Sequence, residues 1–353
     1  MSEAADTRKG FWAALDERFG LSELAYPVPP HANTLGYTLG GITVVGMIIM
    51  VATGILLAQW FDPMPEAANA SVRFMMTEVP LARVVRGIHF WTAQAVLVTA
   101  GLHLARVFIT GSYRRPREGN WLVGLGLLGL TALLYFTGTV LKYDQEGFEA
   151  LAHNTGVAEL LGGLGAWFSP TLARNVPMLP RLYIAHVSIL PLLLFVLLGI
   201  HVLLIKKHGI SPLPPEWRPG GYAAAQPHTH TFTDHLRKLL GYGLVYLGTV
   251  TVLAVVLPPA VGPSPVEGIE VSKPPWAFVW LFPLEDRWGL WPLIVVPLLL
   301  FGFLALVPFL DRSRDNSLRS RRWLLTLGGL VTAAVLVLLI MGYLAGPSEH
   351  VGM

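Results

Sequence analysis

The sequence predicts an all-α membrane protein with seven transmembrane helices, a four-helix bundle followed by three C-terminal helices. Three observations predict it. The 353 residues are 53% hydrophobic and 13% charged, with a mean hydropathy of +0.56, whereas a soluble domain carries about a quarter charged residues. Seven apolar segments each approach the roughly 20 residues that cross a bilayer. Two of those segments carry two histidines each, His89 with His103 and His186 with His201.

Taken in order, residues 10–24 mix aromatic and charged positions at helical spacing, which suits a short helix either on a membrane surface or in solvent. The N-terminal stretch has no apolar core beside a small-residue cleavage site, so no signal peptide is expected. YPVPPH at 26–31 then breaks the chain. The spans follow at about 34–58, 87–105, 121–141, 182–205, 239–257, 289–310 and 323–345. Lys and Arg number sixteen in the N-terminal stretch and the loops after spans two, four and six. They number eight in the other loops, with Arg106 at a span edge set aside. That asymmetry puts the N-terminus in the cytoplasm and the C-terminus outside. It also accounts for the pI near 9.2 without nucleic-acid binding. The organisation expected is a surface helix and lead-in over 1–33, a four-helix bundle over 34–209 and a three-helix unit over 210–353.

A polar ring inside hydrocarbon is costly and marks function by default. Fourteen residues of helix rise about 21 Å and return to within about 40° of the same face. Each histidine-bearing span therefore offers one imidazole near either side of the membrane. Spans two and four run in the same direction, so His89 pairs with His186 near the outer side and His103 with His201 near the inner side. Two bis-imidazole sites at two depths suit two b haems. The chain has no cysteine, so it holds no disulfide, no iron–sulfur cluster and no thioether-tethered haem of its own. Gly40 and Gly54 on span one, and Gly124 and Gly138 on span three, repeat the interval of fourteen. They leave room either for two flat macrocycles or for ordinary close helix packing.

The outer loops 142–181 and 258–288 are long, and the second is rich in proline; long loops in compact proteins are usually functional. The inner loop 206–238 is basic. Its His228 and His230 could bind metal, although a solvated loop is the plainer reading. Lys206, with Lys207, follows His201 at the inner edge, where an anionic quinone or a haem propionate could be stabilised.

At these residues the chain resembles the cytochrome b of cytochrome bc complexes, particularly the plastid-type branch. The matching stretches run in order: VPPHANTLGYTLGGIT, VATG, ASVRFMMTEV, RxxH at Arg86–His89, GSYRRPREGNWLVG, TGTVLKYDQEGF and HGISPLP. The resemblance is specific over 25–215 and weaker but collinear over 230–345, as if the four-helix and three-helix chains of that branch were fused. It implies haem propionates neutralised by Arg86 and Arg106, quinol oxidation near the outer haem and quinone reduction near the inner one. It also implies a Rieske iron–sulfur protein and a c-type cytochrome subunit as partners, a homodimer, and a bacterial-type cytoplasmic membrane.

Two departures stand out. Thr38 replaces the cysteine that tethers an extra haem in the plastid-type protein, so none is expected here. The family's quinol-oxidation motif, Pro-Glu-Trp-Tyr, reads Pro274-Pro275-Trp276-Ala277, and its acid is missing. The PEW at 215–217 falls in an inner loop and is a decoy. Among Glu267, Glu270 and Glu285 in the same outer loop, Glu285 is the favoured replacement proton acceptor. It follows an apolar run, although a helix over 276–285 would hold it up to about 15 Å from the motif. The missing acid keeps a second reading open, a di-haem anchor that passes electrons between the quinone pool and another oxidoreductase. A seven-span transporter or receptor would leave four paired histidines to chance.

Overall fold

The computed structural model describes residues 2–173, 175–218, 230–313, 315–346 and 348–351; His228 lies outside the described residues. The first helix, α1 (Ser2–Phe19), starts earlier than the amphipathic pattern suggested and stops at Gly20, whose φ of 60° is left-handed. Its rings Phe11, Trp12 and Phe19 are exposed. Strand β1 (Pro27–Val28) then pairs antiparallel with β2 (His230–Thr231), Pro27 opposite Thr231. Apart from these four residues the regular structure described is helical.

The remaining helices are α2 (Leu35–Leu57), α3 (Ala68–Thr77), α4 (Pro80–Thr110), α5 (Glu118–Leu141), α6 (Gln145–Leu160), α7 (Met178–Ile184), α8 (Leu190–His208), α9 (Phe232–Val256), α10 (Phe282–Trp288), α11 (Trp291–Leu310) and α12 (Arg322–Leu344). Seven of the described segments are long and apolar enough to span a membrane: α2, α4, α5, the continuous Met178–His208, α9, α11 and α12. They overlie the seven predicted segments. The second runs longer than its apolar stretch because Pro80 sits in the first turn, where a missing N–H costs nothing, and Gly111 at φ 63° closes the end.

The fourth span is not uniform. Ala185–Ile189 forms a π turn between α7 and α8, with the Leu190 N–H donating to the Ala185 carbonyl five residues back. Pro191 follows at once. It has no N–H to give, and its ring would press on the carbonyl of Val187 in a regular helix. The turn inserts one extra residue between His186 and His201, and so absorbs the difference between their spacing and that of His89 and His103.

Helices α2 and α4 pack along each other, and α5 packs along α8. Between the two pairs lies a buried cluster with one residue from each span: Met47, Val96, Leu127 and Leu194. The last three spans do not stand apart. Helix α9 lies on α2 and α4, α11 lies on α5 and α6, and Gly328 of α12 admits the ring of Phe108, which a Cβ would approach to 2.6 Å.

Two fastenings join the halves. At the end bearing the basic loops, Arg321 is fully buried. Its guanidinium donates to the carbonyls of Phe108 (3.1 Å) and Ile109 (2.5 Å) and to the Tyr113 hydroxyl (3.3 Å). It thus caps the last turn of α4, where orphan carbonyls and the helix dipole favour a cation. Tyr113 in turn donates to Asp311 Oδ2 at 2.8 Å. At the opposite, loop-rich end, α6 clasps the proline-rich connection. Gln145 Oε1 accepts from Val266 N (2.7 Å), and Glu149 accepts from Val271 N and Ser272 N (both 2.9 Å).

Candidate functional site

The four histidines and four glycines meet one to one. A Cβ on Gly40 would come 2.9 Å from His103 Cε1, on Gly54 3.5 Å from His89 Cε1, on Gly124 3.4 Å from His201 Cε1, and on Gly138 3.2 Å from His186 Cε1. Each glycine-bearing helix therefore lets the imidazoles of a histidine-bearing helix lie against its backbone. The interval of fourteen common to both glycine pairs and to His89 with His103 follows from this contact. The room created is in the first place for the rings.

The two levels differ in what orients those rings. Thr53 Oγ1 donates to the Ile49 carbonyl (2.7 Å) and sits 2.8 Å from His89 Nδ1. With its own proton committed, the hydroxyl accepts from Nδ1–H, which leaves Nε2 with a free lone pair. Thr137 does the same for His186, donating to Leu133 at 2.9 Å and accepting from Nδ1 at 2.8 Å. At the other level, among the described residues, neither His103 Nδ1 nor His201 Nδ1 meets a side-chain hydroxyl. The sequence reading missed the two threonines. Each lies one residue before a ladder glycine, which is the signal that could have found them.

The residues fit a bis-imidazole iron. The His89 and His186 ring centroids are 6.5 Å apart. A metal held at about 2.0 Å from each of two ring nitrogens would put the centroids about 6 Å apart. All four imidazoles are half-buried, in keeping with rings that edge an internal space.

That space is a cavity of about 230 Å³ at the loop-rich end, lined by His89, His186, Gly54, Gly138, Arg86 and Pro275 among others. Pro275 belongs to the motif singled out above, and half-buried Pro274 precedes it. Trp276 donates its indole N–H to Gln94 Oε1 at 2.5 Å, and the Tyr135 hydroxyl donates to the same oxygen at 2.9 Å. Gln94 and Tyr135 line the cavity too. Arg86 lies on the wall, donating to the Pro259 carbonyl at 3.0 Å. Arg106, at the other level, stacks 4.3 Å over the Tyr37 ring and donates to the Gly36 carbonyl at 3.2 Å. Lys206 is exposed in the last turn of α8.

The carboxylate in the cavity wall is Glu146, paired with Lys142. Glu285, the acid favoured from the sequence, is buried elsewhere, 3.1 Å from His153 Nε2. The chain turns at 276–281 and becomes helical only from Phe282, so Glu285 points into a separate cluster beside α6. Glu146 was legible only as part of KYDQEGF, one helical turn beyond Lys142. Outside the spans, burial holds the His31 imidazole below its ordinary pKa. The neighbouring Arg106 charge adds to this, while its bond to the Ser211 carbonyl works the other way.

Comparisons agree with this architecture. Residues 24–209 match the family described as Cytochrome b/b6/petB. The cytochrome b6 of Heliomicrobium gestii is 37% identical over 207 residues, covering 56% of this chain and 97% of that protein. That of Chlamydomonas reinhardtii is 37% identical over 188 residues, covering 52% of this chain and 87% of its own. A solved structure titled "Hyperthermophilic respiratory Complex III" superposes with a TM-score of 0.75 at 20% identity, covering 99% of this chain and 92% of that one, and so shares the fold across all seven spans. With its four histidine-bearing contacts, its cavity and these relatives taken together, the chain belongs to the cytochrome b/b6 family, a haem-binding, multi-pass membrane subunit of bc-type oxidoreductase complexes.

Proposed function

We propose that this chain is the di-haem cytochrome b of a quinol-oxidising complex, carrying electrons between a quinol site at the loop-rich end and a quinone site at the basic end. His89 and His186 hold one haem b and His103 and His201 the other, with Arg86 and Arg106 beside the propionates. When bound, the two groups supply the one-electron chemistry. The observation that carries the reading is the set of four imidazoles, paired across the bundle at two levels and each seated on a glycine.

The chain's own part is to bind, orient and exclude. Thr53 and Thr137 fix the imidazole tautomer at one level. Quinol enters the cavity beside Pro275, where Trp276, Gln94 and Tyr135 form a hydrogen-bonded wall, and Glu146 accepts a proton in place of the missing motif acid. The positive-inside asymmetry supports the basic end facing the cytoplasm of a bacterial-type membrane. A Rieske protein, a c-type cytochrome and a second copy of the chain are the expected partners. One observation favours the rival reading, a di-haem anchor without quinol oxidation: the motif position holds proline instead of an acid.

The test is a reduced-minus-oxidised spectrum of the purified chain with potentiometry. Two b-type components are expected, and absence of b-type bands would sink both redox readings. Co-purification of Rieske and cytochrome c subunits supports quinol oxidation, whereas a different oxidoreductase partner supports the anchor.

A further inference from the structure

Beyond the cavity, a second group of titratable side chains gathers at the loop-rich end, from four separate segments. His153 comes from α6, Glu270 from the proline-rich connection, Glu285 from α10, and His350 from the stretch after the last span. Ligand atoms of His153, Glu285 and His350 all lie within 4.8 Å of one another. His153 Nε2 is 3.1 Å from Glu285 Oε1 and 3.3 Å from Glu270 Oε1, and His350 Nδ1 is 3.1 Å from Glu270 Oε1. Donors about 2.0–2.1 Å from a tetrahedral ion stand about 3.3 Å from one another; three of the donor separations match this, and those among His153, Glu285 and His350 stay within 4.8 Å.

Both imidazoles are already oriented from behind. His153 Nδ1 sits 2.8 Å from the Glu149 carbonyl, so it is the protonated nitrogen and Nε2 faces the cluster. His350 Nε2 is held by Asp286 Oδ1 at 2.7 Å, which turns Nδ1 inward. Such a partner on the far nitrogen is how metal-binding histidines are commonly fixed. Glu270 Oε2 is anchored by the N–H groups of His350 (2.7 Å) and Val351 (3.1 Å), which aims Oε1 at the two rings. An independent sign is Glu285. Its side chain is 3% exposed, and among the described residues its Oε1 faces only the His153 ring, with no further hydrogen-bond donor on it.

We propose that His153, His350 and Glu285, with Glu270 as a fourth donor, bind one divalent transition-metal cation of the zinc type, separate from the haem sites. Two imidazoles and two carboxylates make a donor set suited to first-row ions, and zinc accepts it in tetrahedral form. The ion would fasten the stretch 348–351 across α6 and α10. Ion pairing alone is the alternative, and it would hold the same groups without metal.

The test uses the full chain purified in detergent with its haems, stripped with a chelator and titrated with zinc chloride by calorimetry, with bound zinc counted by elemental analysis. One zinc per chain is expected. His350→Ala and His153→Ala should each weaken it at least about tenfold, with the haem spectrum intact as a report on folding. Exposed His230→Ala serves as a control that leaves binding unchanged. Limited proteolysis should show 348–351 protected by zinc in the wild type and not in His350→Ala. Because His350 lies outside the helices, its variant remains informative even if His153→Ala fails to fold. No saturable zinc binding, or binding unaltered in His350→Ala, overturns the proposal.

Discussion

Thr53 holds His89: the hydroxyl oxygen is 2.8 Å from the imidazole Nδ1, and its own proton is spent on the Ile49 carbonyl. A hydrogen bond at the far nitrogen makes the ligating nitrogen more basic and favours ferric over ferrous iron. Thr53→Val should therefore raise the midpoint potential of the haem at the loop-rich end by about 20–60 mV, the electrical equivalent of one hydrogen bond. The other haem, whose histidines have no such partner, should not move. Redox potentiometry checks this, and equal shifts in both components would contradict it.

The glycines give a graded expectation. Gly40→Ala puts a methyl 2.9 Å from His103 Cε1, whereas Gly54→Ala puts one 3.5 Å from His89. The first should lower haem content at the basic end, and the second should be tolerated. Gly138→Leu, at 3.2 Å before its extra carbons are counted, should empty the loop-rich site. Full occupancy in both Gly40→Ala and Gly138→Leu would mean that the rings move aside freely.

Glu146→Gln should slow quinol oxidation by about a hundredfold or more if its carboxylate takes the proton, with the pH profile flattened. Glu285→Gln should leave the rate unchanged, because that side chain is outside the cavity wall. The reverse pattern would transfer the role to Glu285.

Acid should loosen the lead-in at His31. Burial lowers its folded pKa below the ordinary 6.5, so the folded state favours the neutral ring. That stabilisation is complete above the unfolded pKa and is lost as pH falls from about 6.5 towards the folded value. Hydrogen exchange at 29–34 should accelerate over this window in the wild type. In His31→Gln the acceleration should disappear.

Arg321→Met should lower unfolding stability by about 3 kcal/mol, since two carbonyls at the end of α4 and the Tyr113 hydroxyl lose a charged donor. Thermal denaturation in detergent measures it. A change within error would show that water caps the helix instead.

How far all this could be read from the sequence depended on whether the deciding contact was local. Each span announced itself because hydropathy over about twenty residues is a property of the segment alone. The histidine spacing on span two was equally local. The extra residue between His186 and His201 had a local cause as well, Pro191, but its remedy as a π turn emerges only in the folded helix. Arg321 read as one of several topology-setting cations, and nothing near it revealed a place inside the end of α4. Glu285 stood out as an acid after an apolar run in the motif's own loop, whereas Glu146, in the other outer loop, carried no such mark. Only the return of α6 onto the proline-rich connection put one on the cavity and the other beside His153.

Met47, Val96 and Leu194 lie midway along their spans between the two histidine levels, and Leu127 packs with them. Val96 is seven residues from His89 and seven from His103, or about 10 Å of helix either way. A dry hydrocarbon layer of that thickness is a selective insulator. Electrons can tunnel through it, while protons and water, which need polar partners at each step, cannot follow. Charge separated across the layer therefore stays separated. Replacing Val96 by a polar residue would open that layer to water before it threatened the fold.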